Sequence, residues 1–228
     1  MNASTAPHAP LQPVLDPHRL GHRHGGGGGH GDAAGHGEGG PASKRIIVGY
    51  GFWIFLLSDI VMFSAIFASY AVLSGATVGG PTGAQLFDRT TVAIETGALL
   101  ISSFLCGLAM IAANARNMLW TQIGLLATGL FGFLFIALEL REFGEMIAHG
   151  AGPDRSAFLS AFFTLVGCHG MHVSAGLLWL GTMMAQIWAK GFRPTIMRRL
   201  MCFSLFWHAL DIIWVALFTI VYLLGTLP

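Results

Sequence analysis

Five long apolar segments constrain the fold of this chain more than any other feature of its sequence. They cover approximately residues 46–74, 92–114, 119–143, 156–189 and 199–225. As an α-helix, each is long enough to cross about 30 Å of hydrocarbon, and the fourth is long enough to tilt or to project beyond it. Because a segment in lipid must satisfy its backbone hydrogen bonds internally, the pattern predicts an all-α integral membrane bundle of five transmembrane helices.

The composition agrees with a membrane protein and argues against a nucleic-acid-binding one. Only 10% of the residues are charged, whereas a soluble domain has roughly 25%. The formal net charge of +1 indicates neither a nucleic acid nor an acidic substrate as a partner. Cys106, Cys168 and Cys202 lie in or beside apolar segments without a CxxC spacing, which favours a packing role over metal or disulfide chemistry.

The first 45 residues differ from the rest of the chain. They hold six of the ten histidines among glycine-rich runs such as GHRHGGGGGHGD, and we expect a disordered cytoplasmic tail. Metal capture by these histidines is an alternative, but five consecutive glycines cannot preorganise ligands. The predicted domains are therefore a tail over residues 1–45 and a five-helix domain over residues 46–228.

The distribution of lysine and arginine predicts the orientation in the membrane. The tail and the second and fourth connections carry Arg19, Arg23, Lys44, Arg45, Arg116, Lys190, Arg193, Arg198 and Arg199. The opposite side carries Arg89, Arg141 and Arg155. By the positive-inside bias, this asymmetry places the N-terminus in the cytoplasm and the C-terminus in the periplasm.

Several ionisable residues lie inside the apolar segments, where each costs roughly 2.5–3.5 kcal/mol on insertion scales. They are Asp59, Glu95, Glu139, Glu142, His169, His172, His208 and Asp211. Their cost predicts that they face protein or trapped water. One interpretation is a set of interhelical hydrogen bonds that fix the packing; the other is a proton relay or a metal site.

Ligand spacing argues against the metal site. Diiron bundles use Glu-x-x-His motifs, and none follows Glu139, Glu142 or Glu145; the pair His169 and His172 has no third ligand evident from spacing. Catalytic nucleophile arrangements and nucleotide-binding fingerprints are also absent. We therefore predict no bound metal and no catalytic residue. Small residues four positions apart, as in Gly124–Thr128 and Gly170–Ser174, predict close helix packing.

Four stretches carry a resemblance to a known family. They are GFWIFLLSD (51–59), SSFLCGLAM after Glu95, GPDRSAFLSAFFTLVGCHGMHVSAGLLWL (152–180) and SLFWHALDIIWVALFTIVYLLG (204–225). These stretches, with their HGxHVxxG and WHxxDxxW motifs, resemble subunit III of the haem–copper terminal oxidases. Five helices without an extra N-terminal pair look like the cytochrome bo-type ubiquinol oxidase branch of that family.

The resemblance implies an accessory role in a proton-pumping ubiquinol oxidase of the bacterial inner membrane. In such complexes the haems, the copper and the quinol site belong to subunit I, so this chain is expected to bind no redox cofactor of its own. Expected partners are subunit I by direct contact, subunits II and IV, and structural phospholipid in a cleft between the first two helices and the rest of the bundle. An accessory protein of a cytochrome c oxidase or nitric oxide reductase remains an alternative.

The resemblance also suggests roles for the buried polar residues. Asp59 and Glu95 are expected to be proton-linked or to lie at the lipid cleft. The later helices would be tied together by an interhelical network of His169, His172, His208 and Asp211. The spacing of Glu139 and Glu142 near the outer end of the third segment suggests instead that they anchor helix ends or pair with Arg141 and Arg155. A free-standing proton-coupled transporter is the rival function, but the chain shows no inverted repeat and no matching broken helices.

Overall fold

The computed structural model describes residues 44–77 and 89–223, and these residues form a bundle of five long helices. The helices are α1 Lys44–Leu73, α2 Arg89–Asn114, α3 Met118–Ala148, α4 Ala157–Lys190 and α5 Pro194–Leu217, and the last of them continues as a π-helical segment, Phe218–Leu223. Within the described residues, five spans are long and apolar enough to cross a membrane. The predicted all-α, five-helix fold is confirmed.

Two helix ends lie several residues from their predicted positions. Helix α3 continues past residue 143 to Ala148, and an Arg141–Glu145 ion pair of 2.8 Å joins successive turns of this extension. Helix α5 begins at Pro194, because proline fits the first turn of a helix, where its missing N–H needs no partner. The apolar pattern alone placed that start five residues later.

Residues in short polar connections cap the N-terminal ends of α3 and α4. The side chain of Asn117 accepts a hydrogen bond from the Trp120 N–H and caps α3, while Ser156 does the same for α4 through Leu159. Arg116 takes up a positive φ of 57° in the turn between α2 and α3. The predicted tail lies outside the described residues, apart from Lys44 and Arg45 at the start of α1.

Helix α5 is the most buried helix of the bundle and α1 the least buried. In the most apolar stretch of each, 56% of the α5 residues are buried, against 11% of the α1 residues. Helix α5 packs on α1, α2 and α4, whereas α1 packs mainly on α4 and α5. The buried core therefore lies among α2 to α5, and α1 covers one side of it.

Small residues allow the closest helix approaches. A Cβ atom added at Gly124 of α3 would lie 2.8 Å from the Cβ of Ala109 on α2, so these backbones meet only because position 124 has no side chain. This confirms the packing role predicted for the Gly124–Thr128 pair. Gly170 and Ser174 do not form such a contact: a Cβ at Gly170 meets only a side-chain atom at 3.9 Å, and Ser174 is exposed.

The indole ring of Trp207 on α5 lies between glycines of two other helices. A Cβ atom added at Gly132 of α3 or at Gly176 of α4 would approach this ring to 2.9 Å. The ring nitrogen of Trp207 donates a 3.0 Å hydrogen bond to the Ser102 hydroxyl of α2. Trp207 thus touches three helices at once, and both glycines leave the space that its ring fills.

We expect Gly176→Ala to lower the free energy of unfolding by about 1–3 kcal/mol, because its methyl group overpacks the space held by Trp207. Gly181→Ala is the matched control on the same helix, since nothing lies within 4 Å of its added Cβ. Alanine is the better helix former, so this control should be neutral or stabilising by up to about 1 kcal/mol. Thermal unfolding in detergent measures both, and equal melting temperatures for the two variants would contradict the packing described.

Candidate functional site

Three glutamates converge at one end of the bundle. Glu95 lies in the second turn of α2, and Glu139 and Glu142 lie three positions apart near the end of α3. One carboxylate oxygen from each lies within 4.8 Å of the other two. We call these residues the carboxylate cluster. They meet because α2 begins at the end of the bundle where α3 finishes.

Two members of the carboxylate cluster are deeply buried, and Glu142 is partly buried. Glu95 is 0% exposed and Glu139 is 3% exposed, and neither carboxylate has a hydrogen-bonding partner among the described residues. Tyr222, in the π-helical segment, is 2% exposed and lies close enough to interact electrostatically with all three glutamates. Such an arrangement is costly in an apolar interior unless something compensates the charge.

The structure pairs Arg141 with a glutamate other than Glu139. The guanidinium of Arg141 bonds Glu145, at 2.8 Å, on the exposed side of α3. Glu139 instead faces inward. A helix turns about 100° per residue, so Arg141, two positions on, points away from Glu139. Arg141 therefore pairs with Glu145 and not with Glu139, and the expected anchoring of helix ends by Glu139 and Glu142 stays a prediction.

A seam of hydrogen bonds joins α5 to α2, and we call it the α2–α5 seam. Trp207 donates to the hydroxyl of Ser102 at 3.0 Å, and Trp214 donates to that of Thr96 at 3.1 Å. Ser102 in turn donates to the Thr128 carbonyl of α3 at 3.0 Å. The two tryptophans of the WHxxDxxW motif thus attach α5 to hydroxyls on the antiparallel helix α2.

His208 and Asp211 belong to the same seam. The Nδ1 atom of His208 lies 2.6 Å from the Ser103 hydroxyl, and the Asp211 carboxylate lies close enough to interact with both groups. This part of the predicted interhelical network lies where the sequence suggested, although its third member, Ser103, was not predicted.

His169 and His172 do not join that network. The Nδ1 of His172 donates to the Cys168 carbonyl of its own helix at 2.8 Å, because a side chain reaches the carbonyl four residues before it. His169 is fully buried, and its ring lies 5.2 Å from that of Trp214 and 5.8 Å from that of Phe135. Neither nitrogen of His169 has a partner among the described residues. Of the four residues predicted to form one interhelical network, His208 and Asp211 meet at Ser103, and the part expected of His169 and His172 stays a prediction.

Asp59 and Glu95 have different surroundings. Asp59 is half-buried on α1 and lies near Cys168 of α4, whereas Glu95 belongs to the carboxylate cluster. An apolar groove of about 540 Å³ runs between α1 and α5, and its walls include Phe63, Phe67 and Ile212. Neither Asp59 nor Glu95 lines this groove. Their proton-linked or lipid-cleft role stays a prediction.

Two features of the site were not predicted from the sequence. Glu95 and the α3 glutamates were expected in separate groups, although successive helices run in opposite directions, which could have indicated that these residues share one end of the bundle. Tyr222 was not predicted either, because a tyrosine near the end of a transmembrane helix ordinarily indicates an interfacial anchor. The three carboxylates are the only converging set of three potential metal ligands within the described residues.

Comparisons with known proteins agree with the motifs. The family model described as cytochrome c oxidase subunit III matches residues 33–226. The chain is 52% identical over 180 residues to cytochrome bo(3) ubiquinol oxidase subunit 3 of Pseudomonas aeruginosa, covering 78% of this chain and 85% of the relative. It is 41% identical over 175 residues to quinol oxidase subunit 3 of Bacillus subtilis, covering 77% and 86%. The chain belongs to the cytochrome c oxidase subunit III family.

Proposed function

We propose that this chain is a non-redox accessory subunit of a proton-pumping quinol oxidase in the bacterial inner membrane. The observation that carries the proposal is its high identity, over most of both chains, to proteins named as subunit 3 of quinol oxidases. The packing adds support, since the family motif residues Trp207, His208 and Asp211 hold the bundle together. In this proposal the chain packs on subunit I and also neighbours subunits II and IV.

The arrangement of the histidines supports a redox centre that lies on a partner. Haem and copper centres depend on histidine nitrogens or sulfur ligands. His172 and His208 each use Nδ1 in a hydrogen bond inside the bundle, and His169 is enclosed by aromatic rings. No histidine of the described residues belongs to a converging set of three potential ligands. The proposal therefore assigns oxygen and quinol chemistry to subunit I.

We also propose that α1 starts in the cytoplasm and α5 ends in the periplasm. Among the described side chains, Arg116, Lys190, Arg193, Arg198 and Arg199 lie at the end of the bundle where α3 and α5 begin, and Arg141 and Arg155 lie at the other end. This difference supports the orientation through the positive-inside bias. The carboxylate cluster is then near the periplasmic end.

The groove between α1 and α5 is the proposed site for structural phospholipid. Its volume of about 540 Å³ and its apolar walls suit acyl chains, and α1 is held mainly by α4 and α5. A lipid in the groove would cover apolar surface that α1 leaves open. In this proposal the lipid lies between the first and last helices, and the expected lipid-cleft role of Asp59 and Glu95 stays a separate prediction.

The orientation can be measured with single cysteines in a variant whose three native cysteines are serine. We expect the Arg155→Cys variant to react with a membrane-impermeant maleimide in intact spheroplasts, because position 155 then faces the periplasm. The Arg116→Cys variant should react only after permeabilisation. The reverse pattern would show that the bundle is inserted the other way round.

Filling the groove should displace lipid. Ala216 lines the groove, so we expect Ala216→Trp to lower the phospholipid that stays with the purified complex, measured by quantitative lipid mass spectrometry. Leu178→Trp is the control, since Leu178 is 75% exposed on α4 and does not line the groove. If both variants retain the same lipid as the unmodified chain, the groove is not the binding site.

The proposed function predicts the composition of a gentle detergent purification. The tagged chain should bring with it a large many-helix protein that carries haem, shown by visible absorption and mass spectrometry, and the preparation should oxidise ubiquinol. Trp207→Ala should lose this partner, since it removes the α2–α5 seam bond and the ring between Gly132 and Gly176. A colourless, partner-free chain would refute the proposal and direct attention to solute transport in vesicles.

A further inference from the structure

A cleft opens between the end of α2 and the start of α5, at the end of the bundle opposite the carboxylate cluster. Its volume is about 270 Å³, far more than the roughly 10–15 Å³ that holds one water molecule. We call it the arginine pocket, and its walls include Met110, Asn114, Arg116, Met197, Arg198 and Met201. None of these residues lines the groove between α1 and α5, so the pocket is a separate space.

The two arginines of the pocket have no acidic partner among the described residues. Arg116 donates to the Phe192 carbonyl at 3.0 Å, which holds its guanidinium beside the connection into α5. Arg198 donates to the Thr195 hydroxyl at 3.5 Å, and neither arginine forms an ion pair within the described part of the chain. The stretches 108–124 and 184–203 around the pocket contain no aspartate or glutamate. The described residues at this end of the bundle therefore leave the charge of both guanidinium groups unneutralised.

The walls of the pocket change from charged to apolar in the direction of the membrane interior. Met110 lies one turn before Asn114 on α2, and Met201 lies almost one turn after Arg198 on α5. Methionine is apolar and flexible, so it adapts to the shape of a neighbouring chain. A phospholipid has the same order of groups, with its phosphate at the membrane surface and its acyl chains further in.

A second apolar groove lies deeper along the same face of α2. It has a volume of about 410 Å³, and its walls include Phe104, Gly107 and Ile111. Gly107, Met110 and Asn114 follow one another at intervals of three and four residues, so they share one side of the helix. An acyl chain that leaves the arginine pocket therefore meets apolar surface along α2.

We propose that the arginine pocket binds the headgroup of an anionic phospholipid, whose acyl chains run along α2 toward the middle of the bilayer. A guanidinium group can bind a phosphate through two parallel hydrogen bonds, and basic pockets between transmembrane helices on the cytoplasmic side bind anionic headgroups. The proposed orientation assigns this end of the bundle to the cytoplasmic side, and only the choice of leaflet rests on it. A zwitterionic headgroup brings its own cation into a pocket that is already positive, so the anionic lipid binds more tightly.

The test titrates the assembled complex with two lipids that differ in headgroup charge. The complex is washed with detergent to remove lipid, dioctanoyl-phosphatidylglycerol or dioctanoyl-phosphatidylcholine is added, and native mass spectrometry counts the molecules bound. We expect phosphatidylglycerol to bind the wild type more tightly. Arg198→Gln should weaken its binding about fivefold, because one cation is lost beside the phosphate, and should leave the binding of phosphatidylcholine unchanged. Lipid sites on other subunits cancel in this comparison.

Arg199→Gln is the matched control. Arg199 is the next residue and carries the same charge, but it is exposed, donates to the Gln186 side chain at 3.1 Å and does not line the pocket. Its variant should bind phosphatidylglycerol as the wild type does, and so should the groove variant Ala216→Trp. If Arg198→Gln does not assemble, Arg198→Lys and Arg199→Lys give the same comparison, because lysine keeps the charge but cannot form the bidentate contact.

Equal phosphatidylglycerol binding by the Arg198 and Arg199 variants would overturn the proposal, as would equal binding of the two lipids by the wild type. Inorganic phosphate is added as a competitor, and we expect it to leave the lipid bound, since it has no acyl chain. If it displaces phosphatidylglycerol completely, the pocket binds free phosphate and the assignment to lipid is wrong. Haem content is recorded on the same preparations: a haem-containing complex without the headgroup preference refutes only this inference, whereas a chain without a haem partner refutes the proposed function.

Discussion

The attachment of α5 to α2 is the interaction on which the rest of the bundle depends. An interhelical hydrogen bond in a membrane averages only about 0.6 kcal/mol, so none of the bonds from Trp207, His208 or Trp214 holds the fold by itself. These bonds contribute to the fold by fixing the position of α5 along α2. They fix the register of α5 against its antiparallel neighbour at points about two helical turns apart, and a shift of one residue would break all of them together.

The α2–α5 seam also contacts α3 and α4. Because Ser102 accepts from Trp207 and donates to the Thr128 carbonyl, a single hydroxyl connects α5, α2 and α3. The Trp207 ring then extends the contact to α4 at Gly176. The Trp207 ring fits between the helices only because glycine lies opposite it at positions 132 and 176. The large residue on one helix and the small residues on the others therefore pack together.

Much of the fold could be predicted from the sequence because the bilayer imposes simple rules on length and polarity. The helix count, the inward placement of Glu95 and His169, and the hydrogen-bonding role of His208 and Asp211 follow from those rules. The convergence of Glu95 with Glu139 could not be read from spacing along one helix, since it depends on how two helices are rotated against each other. The separation of His172 from the network had a local cause, a carbonyl within reach in its own helix.

The peripheral position of α1 has a consequence for biogenesis. It is the first of these helices to leave the ribosome, yet the helices on which it mainly packs, α4 and α5, are the last two to be made. Helices α2 and α3, by contrast, follow each other directly and form the most extensive pairing of the bundle. The nascent chain therefore gains a paired α2–α3 hairpin while α1 still lies in lipid. Packing of α1 against both of its neighbours must therefore wait until α4 and α5 have been made.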